Sequence, residues 1–119
     1  MHKKDALGRY GEAVGARYLE RHGWTILGRN WRCDIGELDI IAERDGTIAV
    51  CEVKTRRSTR FGTPLEAVTP DKLQRLRRLA GRWLREYQAY APVVRIDVIT
   101  VLVDTAGQTQ VRHIEAVQA

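Results

Sequence analysis

An acid and an amine lie two residues apart at the end of an apolar stretch, where Glu52 and Lys54 follow residues 48–51. In a β-strand the side chains alternate between two faces, so Glu52 and Lys54 would project from the same face. Charges on an otherwise buried strand are costly unless they are paired or bind an ion. Taken alone, the two residues therefore allow either a simple ion pair at a strand end or a site that holds an ion.

A second carboxylate, Asp39, lies among apolar residues in the preceding stretch, residues 36–42. Between the two stretches, Asp45-Gly46 is a strong signal for a tight hairpin, which brings Asp39 opposite residues 50–52. Two carboxylates that converge from neighbouring strands repel each other and raise a pKa unless a divalent cation neutralises them. Carboxylate oxygens suit Mg²⁺, which keeps several waters and can also coordinate a substrate phosphate. Taken alone, Asp39 could instead be a strand residue hydrogen-bonded to a neighbouring backbone.

A third acid, Glu12, lies on the first predicted helix and shares a face with Gly8 and Gly15, at i−4 and i+3. A glycine inside a helix costs about 1 kcal/mol relative to alanine. Together with Gly11, these glycines indicate that a sheet or a ligand approaches the helix closely. We therefore expect Glu12 to point inward at the site, although a solvated helix glutamate is the alternative when the residue is considered alone.

The elements that must position these residues follow from periodicity and capping signals. We predict helices over about residues 5–22, capped by Asp5, and from residue 70 onward, capped by Thr69. Strands are predicted over residues 24–31, 35–43, 47–55, 93–103 and 109–114, with residues 56–64 as a loop. The order α-β-β-β-α-β-β predicts an α/β (α+β) fold with a central mixed sheet flanked by helices.

Apolar stripes predict which helix faces meet the sheet. On the first helix we expect the core face to carry Leu7, Tyr10, Val14 and Tyr18. On the second helix we expect it to carry Leu73, Leu76, Leu79, Ala80, Trp83, Leu84 and Tyr87.

The composition is that of one globular domain, residues 1–119, with a basic net charge of +5. A positive charge favours polyanionic partners such as nucleic acid. Cys33 and Cys51 are 18 residues apart, which fits no zinc or redox pattern and indicates two reduced thiols. The sequence has no apolar run approaching ~18 residues, so we expect a cytoplasmic protein without a membrane partner.

Two groups of basic residues are candidates for contact with phosphates. Arg56, Arg57 and Arg60 leave the third strand directly after Lys54 and should overhang the site. The second helix carries a basic stripe of Lys72, Arg75, Arg78, Arg82 and Arg85. A solvated amphipathic face explains this stripe equally well. Arg95 and Asp97 share a strand face and are interpreted as a structural ion pair, while His113 is interpreted as an ordinary surface histidine.

The segments Gly36-Glu37-Leu38-Asp39 and Cys51-Glu52-Val53-Lys54-Thr55-Arg56 resemble the PD-(D/E)xK nuclease pattern, with Leu38 in place of the proline. The likeness is closer to the small bacterial YraN-like family, which is related to archaeal Holliday-junction resolvases. It extends from residues 7–12 through residues 30–32 to residues 95–97.

This resemblance implies a restriction-endonuclease-like fold and a role for each site residue. Asp39, Glu52 and the carbonyl of Val53 would hold Mg²⁺ or Mn²⁺, and Lys54 would orient and activate the attacking water. Glu12 would assist through the metal shell.

The resulting hypothesis is a divalent-metal-dependent endonuclease that acts on DNA, with branched or damaged DNA in repair or recombination as candidate substrates. The alternative is a non-catalytic nucleic-acid-binding module on the same fold. A third interpretation makes the acidic cluster a buried ion-pair network only. A homodimer is one way in which so small a domain could span a duplex or a junction.

Overall fold

Two helices and five strands make up residues 5–57 and 68–118, the part of the chain that the computed structural model describes. They are α1 (Ala6–Arg21), β1 (Thr25–Cys33), β2 (Gly36–Arg44), β3 (Thr47–Arg56), α2 (Pro70–Glu86), β4 (Val93–Val103) and β5 (Thr109–Ile114). This order matches the predicted order, and the bounds of β4 and β5 agree with the prediction at both ends.

All five strands form one sheet in the spatial order β1-β2-β3-β4-β5. β3 and β4 are parallel, and the other neighbouring strands are antiparallel. The sheet is therefore mixed, as predicted. Parallel neighbours need a crossover connection, and α2 provides it between β3 and β4.

The predicted caps and the predicted hairpin are present. The Asp5 carboxylate accepts from the Gly8 N–H at 2.7 Å, and the Thr69 hydroxyl accepts from the Lys72 N–H at 3.1 Å. Asp45 and Gly46 both have positive φ, +50° and +79°, as a two-residue type I′ turn requires. This turn fixes the register of β2 on β3, in which Ile40 is paired with Cys51.

The two helices cover opposite faces of the sheet. Buried residues of α2 pack with one set of strand side chains, which includes Leu38, Ile41, Ile48, Val50, Ile96 and Val98. Buried residues of α1 pack with the other set, which includes Ile40, Ala42, Ala49, Cys51, Ile99 and Val101. Neither helix within residues 5–57 and 68–118 has the length and apolar content needed to cross a membrane.

The predicted core face of α1 is confirmed in part: Leu7, Val14 and Tyr18 pack against the core but are only partly buried, and the placement of Tyr10 was wrong. The buried residues of α1 are Gly11, Glu12, Gly15, Ala16 and Leu19, whereas Tyr10 is 44% exposed and bonds through its hydroxyl to Thr109. The reason is close packing: a Cβ added to Gly11 would lie 1.8 Å from Thr55 Oγ1. The glycines let the backbone of α1 rest on the sheet, so larger apolar side chains lie at the margins.

The predicted core face of α2 is confirmed over most of its length. Leu73, Leu76, Leu79, Ala80 and Trp83 are buried. Tyr87 lies beyond the last helical residue, as the C-cap, and is 56% exposed, so its assignment to the core was wrong.

Candidate active site

A cleft of about 910 Å³ opens at the end of the sheet where β2 begins and β3 ends. Its walls are the first half of α1, the first half of α2 and the hairpin between β1 and β2. The lining includes every residue predicted to be catalytic or to bind metal, namely Glu12, Asp39, Glu52, Val53 and Lys54. Of the residues predicted to bind nucleic acid, Lys72 and Arg75 also line it.

Asp39 and Glu52 form a buried carboxylate pair in this cleft, and each is 7% exposed. The two carboxyl groups converge, as the β2–β3 hairpin predicted, and a hydrogen bond between them helps to raise the pKa of Glu52. Asp39 Oδ2 also accepts from the Val53 N–H at 2.9 Å. The sequence allowed two interpretations of Asp39, a hydrogen bond to a neighbouring backbone or convergence with a second carboxylate. In the structure Asp39 makes both contacts.

The carboxylate pair cannot carry two negative charges without cost. Burial, followed by the hydrogen bond and charge of Asp39, raises the pKa of Glu52 from 4.5 to about 7, although Lys72 opposes the shift. A proton shared between the two carboxyls relieves their repulsion. A divalent cation between them would relieve it more fully, and oxygen donors in this arrangement fit Mg²⁺ or Mn²⁺. The donor set therefore suits such an ion, with the Val53 carbonyl as a further ligand only by prediction.

Two lysines complete the charged cluster around Glu52. Lys54 Nζ lies 3.9 Å from Glu52 Oε2, and Lys72 Nζ lies 2.5 Å from the same oxygen. Burial and the neighbouring Lys72 lower the pKa of Lys54. Burial also works against the charge of Lys72, but the hydrogen bond and charge of Glu52 raise the pKa of Lys72.

The position of Lys72 differs from that of the basic stripe to which its spacing assigned it. Its side chain is only 30% exposed and lies against Glu52, whereas Arg75, Arg78 and Arg85 are exposed. One signal in the sequence could have separated Lys72 from the stripe. It follows Thr69-Pro70 in the first helical turn, where the helix dipole disfavours a cation unless an acid lies nearby.

Glu12 points inward, as expected, and is 2% exposed. Glu12 Oε1 accepts from the side-chain amide of Asn30 at 2.6 Å and from the guanidinium of Arg29 at 3.4 Å. The solvated alternative for Glu12 is therefore wrong. No role was predicted for Asn30 or Arg29, although the left-handed φ of Asn30, +55°, marks a special backbone position on β1.

The arginines after Lys54 are described only in part. Arg56 belongs to β3, because the parallel ladder with β4 continues to the pair Arg56 and Leu102, so the prediction that a loop begins at Arg56 was wrong. Among the described residues, the buried Nε of Arg56 has no hydrogen-bond partner. Arg57 is exposed. Arg60 lies outside the described residues.

A second polar cluster surrounds Asp97 on β4. Cys51, Asp97 and His113 offer ligand atoms within 4.8 Å of one another. The Asp97 carboxylate, however, already accepts from Arg95 at 3.0 Å and from the Ala116 N–H at 2.9 Å, and it bonds to His113 at 2.6 Å. Burial raises the pKa of the Cys51 thiol, which opposes thiolate ligation. The Arg95–Asp97 pair is structural, as interpreted, while the surface assignment of His113 was wrong, since its side chain is 9% exposed.

Fold and cleft together define a small basic α+β protein with an Asp–Glu–Lys cluster at the carboxyl end of β3. The chain belongs to the family described as "Uncharacterised protein family UPF0102", whose model matches residues 11–101. This confirms the predicted relation to the YraN-like bacterial proteins.

Curated relatives match almost from end to end. A UPF0102 protein of Beutenbergia cavernae is 54% identical over 98% of this chain and 99% of its own. A UPF0102 protein of Kineococcus radiotolerans is 52% identical over 96% of this chain and 94% of its own. One from Frankia casuarinae is 49% identical over 96% and 97%.

Proposed function

We propose that this protein is a divalent-metal-dependent DNA endonuclease of the restriction-endonuclease-like type, which hydrolyses phosphodiester bonds in the cleft. The observation that carries the proposal is the buried carboxylate pair, Asp39 and Glu52, with Lys54 beside it on the same strand. The PD-(D/E)xK pattern in the sequence has the same three residue types in the same order along the chain.

The carboxylate pair would hold Mg²⁺ or Mn²⁺, with the Val53 carbonyl as a further ligand. When bound, the ion would polarise the scissile phosphate and lower the pKa of a coordinated water. The raised pKa of Glu52 supports this role, because a buried pair that is poorly compensated by its own surroundings gains most from a cation. Structural ion-pair networks also perturb pKa values, so the proposal depends on the convergence of Asp39, Glu52 and Lys54 in the cleft and not on the pKa shift alone.

Lys54 would position the attacking water and stabilise charge on the phosphoryl group. Its Nζ lies 3.9 Å from Glu52, so the amine and the carboxylate can reach the same substrate atom. The lowered pKa of Lys54 brings its proton exchange closer to neutral pH, where a general acid or base is effective. Glu12, held by Asn30 and Arg29 in the same cleft, would act through the metal shell.

DNA is the proposed substrate because the chain is basic and carries arginines around the cleft. Arg75 lines the cleft and is exposed, and Arg57, directly after β3, is also exposed. These side chains would contact phosphates and not base edges, so recognition of DNA would depend on its structure and not on its sequence. Branched or damaged DNA in repair or recombination is the proposed context, with a homodimer to span it. The two free thiols support a cytoplasmic location.

The test is cleavage of labelled single strand, duplex, flap and four-way junction in Mg²⁺ or Mn²⁺, with wild type and Asp39→Ala compared. We expect metal-dependent cleavage of at least one substrate by the wild type and a loss of at least about 100-fold in the variant. Arg21→Ala is the matched control, because Arg21 is exposed in the last turn of α1, at the far end of that helix from the cleft.

Two other outcomes would redirect the proposal. Equal DNA binding by wild type and Asp39→Ala, without cleavage of any substrate, would support the non-catalytic binding module. Binding that is weak and insensitive to salt would support a purely structural ion-pair network, since phosphate-driven binding falls steeply with salt.

A further inference from the structure

We propose that Lys72 is a built-in counter-cation that occupies Glu52 until a divalent cation displaces it, so that Lys72 sets the metal affinity of the cleft. This inference rests on the proposed function, because it assigns Lys72 a role at the same carboxylate pair. The observation that carries it is the contact of 2.5 Å between Lys72 Nζ and Glu52 Oε2.

The contact occupies the atom that a metal ion would use. An Mg²⁺ ligand oxygen lies about 2.0–2.1 Å from the ion, so an ammonium and an ion on one oxygen would be within a few ångströms of each other. Their repulsion is large in a half-buried site. Glu52 Oε2 therefore binds a divalent cation less tightly as long as Lys72 stays at its present distance.

Charge balance points in the same direction. With both carboxyls ionised, Asp39 and Glu52 carry two negative charges, and Lys54 and Lys72 carry two positive charges, so the cluster sums to zero. A divalent cation adds two positive charges to this sum. Departure of one lysine and arrival of one phosphate group return it to zero. With both carboxyls ionised, the cluster is thus neutral without metal and can be neutral again with metal and substrate, whereas a proton shared between the carboxyls adds one positive charge that the metal must also displace.

Lys72, rather than Lys54, is the lysine that can leave. Lys54 is a residue of β3, where it pairs with Thr100 of β4, and its Nζ lies farther from Glu52, at 3.9 Å. Lys72 extends from the first turn of α2, and its side chain is 30% exposed. A cation in that turn opposes the helix dipole, so only the acid opposite keeps it there. Once released, the ammonium would remain at the cleft, close to Arg75 on the same helix.

The test is to titrate Mn²⁺ into metal-free wild type and variants. Electron paramagnetic resonance of the free ion measures how much Mn²⁺ each protein binds. We expect Lys72→Met to bind Mn²⁺ about tenfold more tightly than the wild type, because the competing ammonium is gone. Lys54→Met should show a smaller gain, and Arg77→Met, at an exposed position of α2 outside the cleft lining, should show none. Lys72→Arg should retain weak binding, and it replaces the methionine variant if that variant does not fold.

A second readout follows Lys72 itself. Acylation of lysines, mapped by mass spectrometry, should be slow at Lys72 in metal-free wild type and several-fold faster when Mg²⁺ is present. Asp39→Asn should abolish this increase, because the metal no longer binds.

The outcomes separate the two proposals. If wild type binds Mn²⁺ and Asp39→Asn does not, while Lys72→Met binds no more tightly than wild type, the counter-cation role is overturned and the metal site stands. If neither wild type nor Lys72→Met binds Mn²⁺, both are overturned. Binding by Lys72→Met alone would support the counter-cation role strongly.

Discussion

Asp97 and Glu52 are both buried acids on neighbouring strands, yet their surroundings shift the carboxyl pKa in opposite directions. Asp97 receives hydrogen bonds from Arg95, His113 and the backbone of Ala116. Although burial works to raise it, these bonds lower the pKa of Asp97. Glu52 meets a second acid, and burial together with Asp39 raises its pKa to about 7.

The contrast separates a carboxylate whose charge is satisfied by its partners from one whose charge is compensated only in part. Around Asp97 the protein supplies the donors that the buried charge requires, so an added ion has little to improve. Around Glu52 the two lysines compensate the pair incompletely, because the pKa stays raised. Burial of an acid is therefore not by itself the mark of a site; the balance of its partners is.

The largest effect is expected on stability at Asp97. Asp97→Ala should lower the free energy of unfolding by about 3–5 kcal/mol, because Arg95 and His113 lose a buried partner. Glu52→Gln should change it by no more than about 1 kcal/mol, because loss of the bond to Lys72 is offset by relief of repulsion with Asp39. Urea denaturation followed by circular dichroism measures both. A larger loss in Glu52→Gln than in Asp97→Ala would reverse the comparison.

A smaller loss is expected where α1 rests on the cleft end of β3. Gly11→Ala should cost about 1–3 kcal/mol, because the new Cβ would lie 1.8 Å from Thr55 Oγ1 and 2.7 Å from Thr55 Cβ. Gly15→Ala is the matched control, since its Cβ would make ordinary contacts of 3.6 Å with Ile99 and Val53. It should be neutral or stabilise by up to about 1 kcal/mol through helix propensity. Equal losses at the two positions, measured by thermal denaturation, would refute this account of the packing.

The two acids predict opposite pH dependences. The pKa of Glu52 is higher in the folded chain, about 7, than its ordinary value of 4.5. Between these values the folded state binds more protons, so the free energy of unfolding should fall as pH rises from about 4.5 to about 7, by the order of 1–3 kcal/mol. The pKa of Asp97 is lowered from 3.8, so its contribution is complete above that value and is lost only as pH falls further.

Denaturation at pH 4.5, 5.5, 7 and 8 measures this dependence. Glu52→Gln should flatten the fall between pH 4.5 and 7, and Mg²⁺ should stabilise the wild type more at pH 8 than at pH 5.5. A fall of the same size in Glu52→Gln would assign it to another group.

The smallest effect is expected on DNA affinity, for the two exposed arginines Arg57 and Arg75, which we call the rim of the cleft. Arg75→Ala and Arg57→Ala should each reduce the slope of log K for DNA binding against log salt by about one unit, because each removes one phosphate contact. Arg112→Ala is the control, because Arg112 is exposed on the edge strand β5. Fluorescence anisotropy at several salt concentrations measures the slopes. Unchanged slopes in both rim variants would move the DNA path away from the cleft.

Much of the fold and of the cleft could be predicted from the sequence because it depends on local rules. The turn at Asp45-Gly46 fixes which residues of β2 and β3 face each other, and counting back from it brings Asp39 to Glu52. The caps at Asp5 and Thr69 fix where the helices begin. Strand alternation places Lys54 on the face of Glu52.

The rest depends on how elements pack in three dimensions. Periodicity predicted Tyr10 for the core of α1, but close contact of Gly11 with Thr55 rotates the helix toward its glycine face. The contact of Lys72 with Glu52 depends on the position of the first turn of α2 over β3, which spacing along the helix does not specify. The partners of Glu12 come from β1, on a different element.

The most direct test of the account is the rate of DNA cleavage in Mg²⁺ by wild type and by Lys54→Ala, at enzyme excess over a substrate that the wild type cleaves. The account predicts a loss of at least about 100-fold, with a free energy of unfolding near that of the wild type and an Mn²⁺ affinity no weaker than that of the wild type. Unchanged cleavage by a folded Lys54→Ala would contradict the assignment of this cleft as the catalytic site.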